Sequence, residues 1–390
     1  MQRDFHYYAT YCAAYIAGYS HIDSLTIAYS AQFVDCCSLT LLQKIGAPGQ
    51  AATTQLQLEM MNAPTDIIGR MDITRIWASF HFLPGDLYAK PKKRCSRSYL
   101  NKYRMICQPD GALLVDTVRL ARGKSLQAAG VAMHVLADTW AHRNFAGTPS
   151  LVINNTTGYF YELIPEGDWY REREMDFNHN PSATDDPESG KYTNSLYQGS
   201  ENSIMNLGHG RAGHLPDYSW ARYRYMPAWG EYREIIKDNP TDYMNAFCQM
   251  IYALRYLKGD EETFEAGKHD RGPIQKWEDE IKAIFLKRQL SSSADWKRLG
   301  ERLSGCEIED FEIGKYQQEY IQAAGEEKDN TFLGEFIIAA LDQKSMVTNR
   351  IFTSGNDLAG VSVDFNKRGF KGIKDFYMLV RRRLRETGND

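Results

Sequence analysis

Residues 126–145 read Leu-Gln-Ala-Ala-Gly-Val-Ala-Met-His-Val-Leu-Ala-Asp-Thr-Trp-Ala-His-Arg-Asn-Phe. Leu126, Ala129, Ala132, Met133, Leu136, Ala137 and Trp140 recur at intervals of three and four, the spacing of one helix face. Leu113, Val118 and Leu120 extend the stripe upstream. The pattern predicts helix from about Asp110 to Phe145, with a break near Gly123. His134 and Asp138 stand at i and i+4 on this helix and therefore share a face. His142 comes eight residues after His134; eight steps advance about 800°, which leaves it only about 80° away. The three side chains can border one cleft.

Working outward, residues 4–19 place Phe5, Tyr8, Cys12, Tyr15 and Ile16 at helical spacing, with Gly18 as a stop. Asp23-Ser24 reads as the cap of a helix running to about Ile45, ended by Gly46-Ala47-Pro48-Gly49. Residues 146–213 are rich in Gly, Asn, Ser, Pro and Tyr and read as a loop-rich insertion, with a short hairpin expected over 150–163. Helical periodicity returns from Tyr218 to the end, punctuated by Pro227, Pro240 and Pro273. The expected fold is mainly α, a multi-helix core over 1–260 carrying the insertion, followed by a helical C-terminal extension over 261–390 packed on that core. Arg381 to Arg385 reads as a solvated helix end. Lys90 to Arg97, with five Lys or Arg, reads as a solvated loop or a phosphate-facing rim.

The whole chain has 390 residues, 43% hydrophobic, 25% charged, with 24 Tyr and a formal net charge of −4. That is a globular composition, and its charge recruits neither nucleic acid nor anionic membrane. The cysteines, 12, 36, 37, 95, 107, 248 and 306, are odd in number and form no C-x-x-C pair. Reduced thiols are expected, and thiolate zinc sites are not. No secretory leader is evident and no window of eighteen apolar residues exists. The expected location is the cytoplasm of the producing cell, or export by a route without a cleaved leader, with no stable membrane insertion.

Nine histidines carry the functional reading. Asp4-Phe5-His6 opens the chain. His134, Asp138 and His142 form the helical group. His209-Gly-Arg-Ala-Gly-His214-Leu-Pro-Asp217 places two His and an Asp within nine residues, among glycines that permit a tight fold. Each group alone has a plain explanation: an N-cap, a salt-bridged helix pair, a polar loop. Together they supply more imidazole and carboxylate than one structural zinc requires. His21, His179 and His269 lack such company, and His269-Asp270 sits in what reads as an exposed turn.

The order of these motifs resembles the zinc-dependent phospholipase C and S1/P1 nuclease superfamily, over residues 1–217. The phrases Asp-Phe-His-Tyr-Tyr and Gly-His-Leu-Pro-Asp more narrowly resemble the uncharacterised DUF6765 proteins. The superfamily resemblance implies an all-helical core with two or three Zn²⁺ ions, other divalent cations being alternatives. It implies ligands at His6, Asp35, His81, His134, Asp138, His142, and a last pair His214 and Asp217, with His209 competing for the place of His214. Asp138 would bridge metals and Asp35 would share the catalytic role. Family members use the free amine of an N-terminal Trp as a ligand, and Asp4 is expected to replace it here.

The reaction expected is hydrolysis of a phosphodiester by a metal-activated water. The acidic balance favours a phospholipid over nucleic acid as substrate. An S1/P1-type nuclease is the alternative enzyme. A non-catalytic structural zinc protein or interaction module is the alternative of another class. Arg143 or Arg211 can add charge near a phosphate. Tyr159, Phe160, Tyr161, Trp169 and Tyr170 can line a groove or simply pack. The extension offers a surface for a protein partner.

Overall fold

A computed structural model of the chain describes residues 1–62, 67–180, 183–195 and 201–360. The basic run at 381–385 lies outside the described residues. The chain opens with a π-helical segment, Asp4–Ala9, that runs directly into α1 (Thr10–Ile16). Next comes α2 (His21–Phe33), capped by Ser20, whose hydroxyl accepts from the Asp23 amide. The expected helix to Ile45 is in fact two. Ser38 caps a separate α3 (Leu39–Lys44), so the side chain that restarts the helix also marks the break. Short α4 (Gln57–Asn62) precedes α5 (Ile67–Phe80) and α6 (Arg97–Tyr103).

The stretch from Asp110 to Phe145 divides near Gly123 as expected, into α7 (Ala112–Ala121) and α8 (Leu126–Ala141). Ser125 caps α8 by accepting from the Ala128 amide. Every residue of α8 from Gln127 to Ala141 is buried. It is the central helix, packed by α2 and α7 and by two helices introduced below. A helix covered on all sides should be apolar throughout, because an unpaired buried polar group is costly. Gln127 and Thr139 depart from that, and His134 and Asp138 are its ionisable exceptions, whose pairing is the substance of the site.

One glycine sets the contact between α2 and α8. A Cβ on Gly130 would lie 2.5 Å from the Ile27 carbonyl oxygen and 2.5 Å from the Ser30 Cβ. Without it the two backbones pass close enough for the Ala31 carbonyl to accept from His134 Nδ1 at 2.9 Å.

The insertion is richer in structure than expected. After the single turn α9 (Leu151–Asn154), β1 (Thr156–Glu166) and β2 (Trp169–Glu174) form a hairpin about Gly167, with Glu166 opposite Trp169. Short β3 (Asp176–Asn178) and β4 (Lys191–Thr193) pair in parallel. Beyond the insertion, where helix was expected from Tyr218, the chain instead forms β5 (Arg222–Pro227), whose alternation of buried and part-exposed residues is that of a strand, and β6 (Ile235–Asp238). These complete a four-stranded antiparallel sheet of order β2-β1-β5-β6. β2 is exposed along nearly all its length. It therefore lacks the apolar–polar alternation by which a strand is recognised. β5 has that alternation: Tyr223 and Tyr225 are buried beneath the sheet, while Arg222 and Arg224 lie on its other face.

The remainder is helical: α10 (Asn239–Lys258), α11 (Glu278–Leu286), α12 (Ser293–Ser304), α13 (Gln317–Gln322) and α14 (Phe332–Thr353). α10 and α14 both pack on α8, and α12 packs on the N-terminal π-helical segment. No helix among the described residues is long and apolar enough to cross a membrane.

Candidate metal centre

Asp138 lies at the middle of a convergence of five chain segments. Its Oδ1 is 3.1 Å from His6 Nε2 on the π-helical segment and 2.7 Å from the Met1 nitrogen. Its Oδ2 is 3.1 Å from His81 Nδ1, just past the end of α5, and 3.1 Å from His134 Nε2, one turn back on α8. Asp35, on the turn after α2, completes this side at 3.8 Å from His81 and 3.9 Å from His134. A second cluster adjoins. His142, the C-cap of α8, has Nε2 at 3.3 Å from Asp217 Oδ1, and His209 Nε2 is 3.7 Å from Asp217 Oδ2. The Met1 nitrogen sits between the clusters, 3.2 Å from His142 Nε2 and 3.3 Å from Asp217.

Three donor groups are close enough to hold a cation: His6, His134 and Asp138; Asp35, His81 and His134; His142, His209 and Asp217, the first two sharing His134, whose one inward nitrogen can serve only one ion. Their orientation comes mostly from backbone. His134 Nδ1 meets the Ala31 carbonyl at 2.9 Å and His81 Nε2 the Thr53 carbonyl at 3.0 Å. His142 Nδ1 meets the His81 carbonyl at 2.7 Å and His209 Nδ1 the Gly213 carbonyl at 2.8 Å. A carbonyl can only accept, so the ring nitrogen facing it carries the hydrogen. The inward nitrogen of each neutral ring is then a bare lone pair, as metal ligation requires.

That assignment has a consequence for charge. His81 Nδ1 and His134 Nε2 lie 3.2 Å apart, both beside Asp138 Oδ2, and in neutral rings the carbonyl contacts leave no hydrogen among the three atoms. Only added protons or a cation can reconcile them. Burial works against protons: it pulls His6 and His209 down to about 4, and lowers His81 as well. The carboxylates go the other way. Burial alone would raise Asp138 and Asp217, but His142, the Met1 amine, His209 and other neighbouring groups hold both well below the usual range. Burial would lower the Met1 amine, yet Asp138, Asp217 and Asp35 outweigh it and raise the amine to about 11. Inward imidazole nitrogens and ionised carboxylates this close together form an environment suited to a cation.

Loop geometry explains how the clusters meet. Asn144, with φ of 81°, turns the chain sharply after α8. Gly147 then passes so close to α5 that a Cβ would lie 2.6 Å from the Ala78 nitrogen. The end of α8 and the end of α5 are thereby pressed together, which brings His142 to the His81 carbonyl. Phe82 stacks on His142 at 4.7 Å and Trp77 packs at 4.9 Å from the His81 ring.

Eight of the ten anticipated ligands converge: His6, Asp35, His81, His134, Asp138, His142, His209 and Asp217. Two do not. Asp4 turns away to receive the amide and hydroxyl of Ser292 at 2.9 and 2.8 Å, so it fastens the preceding turn of α12. His214 points to Asp185, 3.5 Å off, in a pairing shared with the Tyr218 hydroxyl. Gly213, at φ of 57°, reverses the chain between the two histidines and sends His209 inward instead. The Met1 amine, which the sequence reading did not place at the centre, lies against Asp138 where Asp4 was expected. The superfamily resemblance carried the signal, since it implied a terminal amine there. Of the other candidates, Arg143 pairs with Asp242 at 2.8 Å and Arg211 donates to the Ser195 carbonyl at 3.3 Å. Phe160 is buried under the sheet, while Tyr159, Trp169 and Tyr170 are exposed on it.

The profile of one protein family, a family of unknown function (DUF6765), matches residues 1–351. The chain belongs to that family. The match spans every donor described above, from Met1 to Asp217. No curated protein and no solved structure matches the chain.

Proposed function

We propose that the protein is a zinc-dependent phosphodiester hydrolase acting on phospholipids in the manner of a phospholipase C. The observation that carries the reading is the packing of bare imidazole nitrogens and ionised carboxylates around Asp138, in more donors than a closed four-ligand structural site uses. Zinc suits a set of imidazole nitrogens and carboxylate oxygens without thiolates. When bound, such ions make a water nucleophilic near neutral pH and offset charge developing on phosphoryl oxygens.

The chain's own groups have separable tasks. Asp138 would be shared between ions, since its two oxygens face different imidazoles. Asp35 stands at the longest distances and is about one-third exposed, whereas Asp138 is buried. It is the carboxylate able to receive a proton from a water, and Gln32 Nε2 steadies it at 3.3 Å. The carbonyl-bound histidines hold their rings while charge moves, which avoids reorganisation during the reaction. A phospholipid is favoured over nucleic acid by the negative charge of the chain.

The test is metal analysis of purified protein, with headgroup release from phosphatidylcholine run beside digestion of single-stranded DNA. Two or three zinc ions per chain and released phosphocholine are expected. Fully metallated protein that cleaves neither substrate would sink the proposal. Asp138→Asn should abolish cleavage and lower metal content by at least half while far-ultraviolet circular dichroism stays helical.

A further inference from the structure

The ring of His81 is held through Nε2, which donates to the Thr53 carbonyl at 3.0 Å. Thr53 also ties down both flanks of Asp35. Its hydroxyl donates to the Val34 carbonyl at 2.6 Å and its amide to the Cys37 carbonyl at 2.9 Å. A residue with no donor atom in the centre therefore sets the spacing between two members of the Asp35, His81 and His134 group. Residues 52–55 belong to no helix or strand, so no ladder of backbone bonds fixes Thr53 in turn.

The hold comes from α14, far along the chain. Lys344 Nζ donates to the Gln50 carbonyl at 2.5 Å and to the Ala52 carbonyl, and lies 5.8 Å from the centre of the Phe80 ring. Ala52 precedes Thr53, and Phe80 precedes His81. The adjacent Gln343 reaches the second of these segments: its amide donates to the Ser79 carbonyl at 3.1 Å and to the Thr117 hydroxyl at 3.0 Å. Two neighbouring residues of one helix thus grip both segments that meet at the bond between His81 and Thr53. Both side chains are buried. Burial is costly for an ammonium and lowers Lys344 from 10.5 to about 7. A methionine would fill much of the same space without that cost. Packing alone therefore does not account for a lysine, whereas two carbonyls that need a donor do.

We infer that Lys344 and Gln343 are positioning residues for His81, and that α14 is thereby part of the support of the cation site at Asp35, His81 and His134. The inference rests on the metal reading of the centre and not on the reaction assigned to it. The test is zinc titration of the full-length protein against a chromophoric chelator, in wild type, Lys344→Met, His81→Ala and the variant carrying both changes. His81→Ala marks the ion that depends on His81, and His209→Ala marks the ion of the second cluster. Lys344→Met should weaken the first ion about tenfold, the lower end of what loss of an outer partner costs a metal site. It should leave the second ion unchanged and add nothing on the His81→Ala background, since its effect passes through that ring. Gln343→Leu should weaken the same ion, and it carries the test alone if Lys344→Met does not fold. Unchanged zinc affinity in the folded variants, equal weakening of both ions, or a loss that persists without His81 would overturn the inference. Zinc binding with these differences but no phosphodiester cleavage leaves the inference standing and removes the hydrolase reading. A wild-type protein that binds no zinc overturns both.

Discussion

Adding one glycine before Met1 should expose how much of the centre depends on the buried amine. The Met1 nitrogen lies 2.7 Å from Asp138 and 3.3 Å from Asp217 with no solvent exposure. Against the pull of burial, Asp138, Asp217 and Asp35 raise it from 8.0 to about 11. Three units correspond to about 4 kcal/mol of preference for the charged form in the metal-free protein. Because the folded value is above the unfolded one, that stabilisation is complete below pH 8 and disappears as pH rises through about 11. The extended chain has an amide where the amine was and cannot contribute it. Urea unfolding of metal-stripped protein at pH 7 should show the extended form less stable by about 4 kcal/mol, plus a steric cost. Comparing the two forms cancels tyrosine and cysteine titration, so the gap should narrow towards pH 11, leaving only the steric part. A gap of the same size at both pH values would refute the electrostatic argument. In the zinc-loaded protein the same extension should lower the metal content by one ion per chain.

His214→Ala should leave metal content unchanged, because its ring faces Asp185, whereas His209→Ala should remove one ion; equal losses measured by elemental analysis would reverse that assignment. Asp4→Asn should spare metal binding yet cost about 1–3 kcal/mol in chemical denaturation, since it weakens the two bonds that hold Ser292. Gly130→Ala forces a methyl group onto the α2 backbone and should destabilise the fold by about 1–3 kcal/mol. It should also weaken zinc binding by displacing Ala31 from His134, and an unaffected zinc affinity would separate the helix contact from the centre. Lys237 is buried against the Trp140 carbonyl and Asp242, and burial lowers it from 10.5 to about 8 despite Asp242. Between those values the unfolded chain retains a proton that the folded one has released. The Lys237 contribution should therefore rise with pH from 8 to 10.5, against the falling Met1 contribution, so the difference in stability between wild type and Lys237→Met should change with that slope in paired pH series of unfolding curves.

The parts of the centre that were legible in the sequence are those set by one helix. His134, Asp138 and His142 follow from the period of α8 alone, because about 3.6 residues per turn leaves little freedom about which side chains are neighbours. His6, Asp35 and His81 could be proposed only from motif order, since nothing local links an early helix, a turn and the end of α5. Gly130 and Gly147 provide that link, through close backbone passages that have no signature in composition. The choice between His209 and His214 turned on the left-handed conformation of Gly213, a single dihedral angle that reverses which ring faces inward. The Met1 donor is a main-chain group, and patterns of side chains do not register it. β2 went unseen for a different reason: with solvent on both sides, Trp169 to Glu174 had no need of the alternation that reveals a strand.

The carbonyls of Ala31, Thr53, His81 and Gly213 aim four of the five imidazoles of the centre. A carbonyl oxygen is common to every amino acid. Residues 31 and 53 can therefore be exchanged for others without removing the acceptor, provided the path of the chain is kept. The ring directions are a property of the trace, and the centre should tolerate much rewriting of its supporting shell. Redesign of its selectivity could then begin at those supporting positions, leaving the ligands themselves untouched.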